Sequence, residues 1–450
     1  MAIEKSFYYG RSLLKDEINS LSDETFIRDL CQEPAFTIKK NKSVCSRCGT
    51  GSNMSRRFPC VCGGNCLYCR ECIALGKVRE CAHLYSLPEP NHFEKHGMPY
   101  LHWEGQLSDQ QARASELILR SVENHRETIV WAVAGAGKTE MLFRGIQYAL
   151  ENNKRVCIAS PRIDVCLELA PRLQRVFPDV PAVVLYGGTE EPYRYTQLVV
   201  STTHQLYRFK EAFDVLIIDE VDAFPYRLND ALHFATERSR KKQSCLIYLT
   251  ATPDHRMQKR IRDKQIEAVV LPARYHGHAL PVPKAVYHAK DILNNKKVKS
   301  TPLIKHMSQL IEQEKRFLLF MPEISLMIET ETLLRDIFSE ASFECVHAKD
   351  GERKGKVLKM RNGELDFLVT TTILERGVTF ENIDVLIWRA DHPVYTEAAL
   401  VQISGRAGRS KVFPTGNVTF YYRDWTRSMK KALKQIREMN SRARKNGLIQ

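Results

Sequence analysis

The sequence contains no run of about 18 uncharged apolar residues, so no transmembrane helix is expected. Its opening, Met1-Ala2-Ile3-Glu4-Lys5, lacks a basic stretch leading into an apolar one, and no secretory signal is expected either. Short internal repeats and low-complexity tracts are missing. With 43% hydrophobic and 27% charged residues, the composition excludes a wholly disordered or fibrous chain. Acidic charge falls short of basic: 53 Asp and Glu face 67 Lys and Arg. The net +14 favours a polyanionic partner, either nucleic acid or an anionic membrane surface. Cysteine is sparse outside one block, since eight of the 13 lie between Cys45 and Cys81. Without a secretion signal a reducing cytosol is expected, where clustered thiols suggest metal rather than disulfides.

What is present divides the 450 residues into segments, in keeping with the prior of about three domains that this length carries. Residues 1–42 read as a polar, partly helical leader and 43–85 as the cysteine block, followed by a connector marked by Pro88, Pro90, Gly97 and Pro99. Past residue 107, short apolar runs at 128–133, 156–159, 182–185, 198–200, 215–218 and 246–249 alternate with helix-length segments. That alternation predicts buried parallel strands in an α/β sheet. A Pro, Gly and His-rich stretch at 271–283 reads as a hinge, and further runs follow at 317–320, 367–369, 385–388 and 418–421. The expected fold is α/β: a cysteine-rich head, two lobes with parallel sheets over 86–275 and 276–425, and a C-terminal helix over 426–450.

The first lobe carries Ala134-Gly135-Ala136-Gly137-Lys138-Thr139 between a strand and a helix beginning at Glu140. This is a phosphate loop with alanine at the usual first glycine. Gly135 and Gly137 let backbone N–H groups approach phosphates, and the helix N-terminus adds its positive end. Lys138 is expected to reach the β- and γ-phosphates of ATP, and Thr139 to hold Mg²⁺. Asp219-Glu220-Val221-Asp222 ends a later apolar strand. Asp219 is the expected second Mg²⁺ partner, and Glu220 the base that positions the attacking water.

Leu249-Thr250-Ala251-Thr252-Pro253, then Thr370 to Gly377, then Gln402 to Arg409 follow in order. They resemble motifs III, V and VI of superfamily 2 helicases, and 219–222 resembles their DEAD-type motif II. The resemblance covers 107–425 and implies RecA-like lobes with ATP bound between them. It also implies an adenine-reading role for Gln111. Phosphoryl transfer spreads negative charge over the γ-phosphate, which suits Arg409 as the stabilising finger and Arg406 as a second contact. Ser160-Pro161-Arg162 and Ser201-Thr202-Thr203-His204 end strands and resemble motifs Ia and Ib. Arg162, Thr202, Thr203, Thr371 and Thr372 are the expected grips on a nucleic-acid backbone, with no base code of their own. Tyr207 and Phe209 are suited either to stacking bases or to the core.

Cys45-x-x-Cys48 and Cys69-x-x-Cys72, with twenty residues between them, approach the tetrathiolate zinc pattern. They are the first choice for one zinc per chain, with Gly49 and Gly51 expected at positive φ. Cys66 with Cys69 makes another such pair, Cys60 or Cys62 offers a further ligand, and a second metal is open. A four-cysteine head before a superfamily 2 core, together with Tyr68-Cys69-Arg70-Glu71-Cys72-Ile73, resembles the ComFA family of competence ATPases. That resemblance implies import of single-stranded DNA from the cytoplasmic face of the membrane, with ComFC and the uptake channel as partners. A PriA-like restart or repair helicase is the enzyme alternative, and a zinc-containing adaptor with an ATP switch is the non-enzyme one. The stretch 423–450 holds nine Lys or Arg against two acids. Its apolar residues Met429, Ala432, Leu433, Ile436, Met439 and Ala443 predict an amphipathic basic helix. Its charges suit DNA, anionic lipid or solvent.

Overall fold

The computed structural model describes residues 5–18, 27–189, 191–288, 292–293 and 297–449. The chain divides into two compact units, 1–130 with 139–269 and 131–138 with 270–450. The larger sheet has seven strands in the order Ala182–Leu185, Leu198–Thr202, Val156–Ser160, Phe213–Ile218, Arg240–Thr250, Glu127–Ala132, Glu267–Leu271. The four pairings from Ala182–Leu185 across to Arg240–Thr250 are parallel. Val156–Ser160 and Phe213–Ile218 are buried at every position, as continuous apolar runs in a doubly covered sheet must be. Their carboxyl ends therefore carry Ser160 and Asp219 to one rim, the usual place for chemistry in such sheets.

The leader expected over 1–42 is woven into the head. Leu13–Leu14 and Cys31–Pro34 pair antiparallel on either side of His83–Ser86. Residues 1–4 and 19–26 of that leader lie outside the described residues. Nor is the head a separate body: one apolar cluster runs from Leu14, Phe36 and Leu84 through Leu206, Tyr207 and Phe213 to Ile218 and Leu246. Alongside it sits a buried polar joint. Arg155 pairs with Glu89 at 2.6 Å, both side chains fully buried. The Arg155 guanidinium also donates to Thr196 O at 3.0 Å and Tyr193 Oη at 2.7 Å.

The second unit's six-stranded sheet runs Lys284–Tyr287, Val418–Tyr422, Asp384–Ile387, Phe317–Phe320, Phe367–Thr370, Phe343–Val346, parallel in all five pairings. The helix Arg427–Lys445 is capped by Thr426, whose Oγ1 accepts from Met429 N at 3.3 Å. All six residues of its expected apolar stripe are buried. Asn440, on the same face, accepts from Leu280 N at 2.8 Å and donates to Leu280 O at 2.9 Å, which pins the helix. Lys430, Lys431, Lys434, Arg437 and Arg442 are left exposed.

Removing one partner of a buried ion pair strands the other charge, at a cost of about 3–5 kcal/mol. Glu89→Ala should destabilise the first unit by that amount. The readout is faster amide exchange in Val156–Ser160 and Leu198–Thr202, with the second sheet unchanged. Equal protection in variant and parent would refute the role given to the pair.

Candidate functional site

The phosphate loop leaves the strand Glu127–Ala132 and turns on Gly135 (φ 83°) and Gly137 (φ 73°). Both angles are in the left-handed region, where a Cβ is strained. Ala136 N donates to Val133 O at 3.1 Å, closing the turn. The helix after it opens with a 3-10 turn, Glu140–Leu142, before the α-helix Phe143–Glu151. Ala134 and Ala136 are buried. A Cβ added at Gly405 would meet the Ala134 Cβ at 2.6 Å, so position 405 must stay bare beside this loop.

The acidic pair sits where expected. Asp219 N donates to Ala159 O at 2.8 Å, extending the strand alignment by one residue. Glu220 then takes φ 57°, a strained angle for a residue with a side chain, while its N–H donates to Asp219 Oδ1 at 2.8 Å. Such strain is kept where the surroundings over-determine it, commonly at active sites. Asp222 carries no role in the reading of motif II above, yet it is firmly bonded. It accepts from Thr250 Oγ1 at 2.9 Å and from Thr252 Oγ1 at 2.6 Å, tying motif II to motif III inside the core. The alternation of hydroxyls in Thr250-Ala251-Thr252 was the available signal.

Motif VI begins in the last turn of the helix Glu397–Ser404 and runs on past its end. Arg406 is buried, and Gly408 takes φ 64°. The segment read as a hinge is not an open linker here. Arg274 is 1% exposed; its Nη2 donates to Gly405 O at 3.2 Å and its Nη1 bonds Gly408 O. His276 Nε2 lies 3.1 Å from the same Gly408 carbonyl. Tyr275 N donates to Gly135 O at 3.0 Å, so one strap holds the phosphate loop and motif VI at once. Burial, and after it the charge of Arg409, pulls the Arg274 guanidinium down to about 9. Burial, then Arg274, lowers His276. Among the described residues no carboxylate pairs with Arg274. Sequence reasoning missed this residue because it belongs to no helicase motif.

The expected backbone grips are less uniform. Arg162 stands at the N-terminus of the helix Ile163–Val176, its Nε 3.9 Å from Glu220 Oε2. Thr202, Thr203 and Thr371 are buried, and Thr203 is completely so. Its hydroxyl belongs to the core, which corrects the expectation that it faces a phosphate. Thr372 is half-buried at the start of the 3-10 turn Thr372–Leu374. Tyr207 and Phe209 are each 1% exposed, so the core reading holds and the stacking reading falls. The reason is the head lying over them: Arg47 Nε donates to Tyr207 O at 3.2 Å, and Tyr207 Oη lies 3.5 Å from Glu71 Oε1. Burial raises the Tyr207 phenol and lowers His204.

In the head, Cys45, Cys48, Cys69 and Cys72 converge with all four sulfurs within 4.8 Å of one another. Cys45–Cys72 is 3.9 Å and Cys48–Cys69 is 3.4 Å. A tetrathiolate zinc with Zn–S of about 2.3 Å has sulfur–sulfur edges of about 3.8 Å, so the set fits that ion. Thr50 Oγ1 stands 2.8 Å from Cys48 Sγ and 3.3 Å from Cys69 Sγ, a hydroxyl suited to support thiolates. Gly49 takes φ 72° under the Phe234 ring. Gly51 does not take a positive φ, contrary to expectation. The alternative pairing through Cys66 is settled by strand parity: along Asn65–Cys69, Leu67 and Cys69 face inward while Cys66 lies on the opposite side.

Comparison with known proteins adds to this geometry. Residues 3–86 match the family described as Competence protein ComFA N-terminal domain, 104–255 match Type III restriction enzyme, res subunit, and 299–411 match Helicase conserved C-terminal domain. Competence protein ComFA of Bacillus subtilis is 42% identical over 444 residues, covering 97% of this chain and 95% of that protein. Competence protein ComFA of Streptococcus pneumoniae is 38% identical over 441 residues, covering 97% and 98%. Among solved structures, Mycobacterium smegmatis helicase Lhr bound to ssDNA and AMP-PNP superposes with a TM-score of 0.54 at 17% identity, covering 75% of this chain and 50% of that one. Two RecA-like sheets, superfamily 2 helicase domains and a thiol head that can hold metal therefore stand in one chain, and this chain belongs to the ComFA family.

Proposed function

We propose that the protein is an ATP-driven motor that moves single-stranded DNA into the cytoplasm during competence. The observation that carries the reading is the strand-end acid cluster, in which Asp219 and a strained Glu220 adjoin an Asp222 bonded to both threonines of 250–252. In this reading Lys138, with the backbone of 134–137, binds the ATP phosphates, and Thr139 and Asp219 hold Mg²⁺. Glu140 lies in the first turn beyond the loop, and Gln111 reads the adenine. Gln111 Oε1 accepts from Ser108 N at 2.9 Å, a capping contact that orients its amide. Glu220 orients the attacking water, and Arg406 and Arg409 offset the charge that develops on the γ-phosphate. Because Asp222 joins motif II to motif III, a change at the metal end of this strand is transmitted to 250–253.

The strand is gripped through its backbone by Arg162, Thr202, Thr371 and Thr372, without sequence preference. Cys45, Cys48, Cys69 and Cys72 hold a structural zinc. Among the described residues no helix is long and apolar enough to cross a membrane. We place the protein's work at the inner face of the membrane, with the uptake channel and ComFC as partners.

Two tests follow from these roles. Lys138→Ala should abolish ATP turnover, whereas Glu220→Gln should keep Mg²⁺·ATP binding and lose turnover by about 10²–10⁴-fold. Binding and steady-state hydrolysis on both variants decide it, and substantial turnover in either rejects the assignment. Single-stranded DNA should stimulate hydrolysis far more than blunt duplex. Its affinity should fall with salt by about 0.7 in log–log slope for each phosphate contact. Replacing Lys430, Lys431, Lys434 and Arg437 with Gln keeps the buried stripe intact. It should flatten that slope if the helix touches DNA. Equal stimulation by duplex would favour the restart-helicase alternative.

A further inference from the structure

We propose that Cys60, Cys62, Cys66 and Cys81 form a second zinc site, separate from the buried one. The four sulfurs come from three stretches of chain and lie within 4.8 Å of one another. Cys60–Cys81 is 3.6 Å and Cys62–Cys66 is 3.4 Å, again close to the edge of about 3.8 Å that a tetrathiolate zinc requires. Disulfides would need only two separate pairs. Convergence of all four on one centre is what a single tetrahedral ion needs.

The local structure explains how the site is built. Ser55–Pro59 and Asn65–Cys69 form an antiparallel hairpin with Phe58 opposite Cys66. At its tip Cys60 N donates to Gly64 O at 2.8 Å and Gly63 N to Cys60 O at 2.9 Å, with Gly63 at φ 87°. This tight turn brings Cys60 and Cys62 round to the side of Cys66. Side chains three apart on a strand point to opposite faces, so Cys66 and Cys69 serve different centres. The fourth ligand arrives on the turn before His83–Ser86. Glu80 holds that turn to the hairpin: its N–H donates to Leu67 O at 2.8 Å, and its Oε2 accepts from Leu67 N at 3.0 Å. Arg57 pairs with Glu80 at 3.1 Å from the outer side.

The two sets differ in exposure. All four thiols of the first are buried, whereas Cys62 and Cys81 are exposed and Cys60 and Cys66 half-buried. Four uncomplexed thiols so placed would oxidise readily, and a bound ion protects them. The second site closes the hairpin tip onto the 79–82 turn, so it orders the outer end of the head. It is independent of the nucleotide chemistry and of the first set of ligands.

Full-length protein purified under reducing conditions should contain two zinc ions per chain by elemental analysis. Cys62→Ser and Cys81→Ser, both at exposed positions, should each contain one. With cobalt(II) in place of zinc, the thiolate-to-cobalt absorption should fall by about half in either variant, as expected for loss of one of two like sites. One zinc in the parent, unchanged in both variants, would overturn the second site and leave the first standing. A Cys60–Cys81 or Cys62–Cys66 disulfide in the purified protein, in place of the second zinc, would overturn it as well.

Discussion

A buried cation pins the head to the first lobe beside their shared apolar cluster. Arg47 lies inside the first cysteine knuckle, and its side chain is completely inaccessible. It reaches Glu17 at 3.1 Å, Leu75 O at 3.1 Å and Tyr207 O at 3.2 Å. A guanidinium removed from water is tolerable only with its donors satisfied and its charge met, and these three partners do both. They belong to the leader, to the segment after the second knuckle and to the motif Ib loop. Arg208 adds a second hold on Glu17 at 2.8 Å. Burial raises the Glu17 carboxyl, but the opposing pull of Arg47 and then Arg208 brings it below the ordinary range. The pair therefore keeps its charge on the acid side of neutrality.

The same device recurs in the second unit with a different partner. Among the described residues Arg274 bonds to the carbonyl oxygens of Gly405 and Gly408, and burial opposes its charge. Carbonyl dipoles can orient a guanidinium without neutralising it, so positive potential persists around Gly405 to Arg409. That suits the proposal that this segment meets a phosphate. Motif II is treated the opposite way, with Asp222 bonded to two hydroxyl donors and the Glu220 N–H bonded to Asp219 Oδ1. Rigidity at these points comes from hydrogen bonds to fixed groups rather than from exposed ion pairs, which contribute little.

How much of this was legible in the sequence depends on how local the cause is. The strands, the phosphate loop, the acid pair and the stripe of the last helix are short-range patterns. Most were found within a residue or two of their observed place, but the run at 246–249 is the end of a strand that starts at Arg240, and Glu267–Leu271, Lys284–Tyr287 and Phe343–Val346 were not read as strands. Tyr207 and Phe209 could not be assigned from sequence, because their burial depends on a head more than 120 residues earlier in the chain. The leader failed as a separate segment for a related reason: its strands pair with His83–Ser86, a long-range choice without a turn signal. Cysteine spacing alone left several pairings open. Strand parity at 66 and 69 resolves them, but parity requires knowing that a hairpin is there. Arg274 was hidden inside a stretch whose Pro and Gly content reads as a flexible connection.

The shared apolar cluster has a consequence for how this protein can be inherited or dismantled. A zinc-bearing head is commonly imagined as an appendage that can be exchanged or lost while the motor continues. Here Leu206, Tyr207 and Phe209 are covered by residues of the head, and Phe234 lies against Gly49. Cutting the chain at the end of the head would open an apolar floor beside the loop 201–204. Exchanging heads between distant relatives would set two unmatched surfaces face to face. Head and first lobe thus share one core, and a change on either side of it is felt on the other.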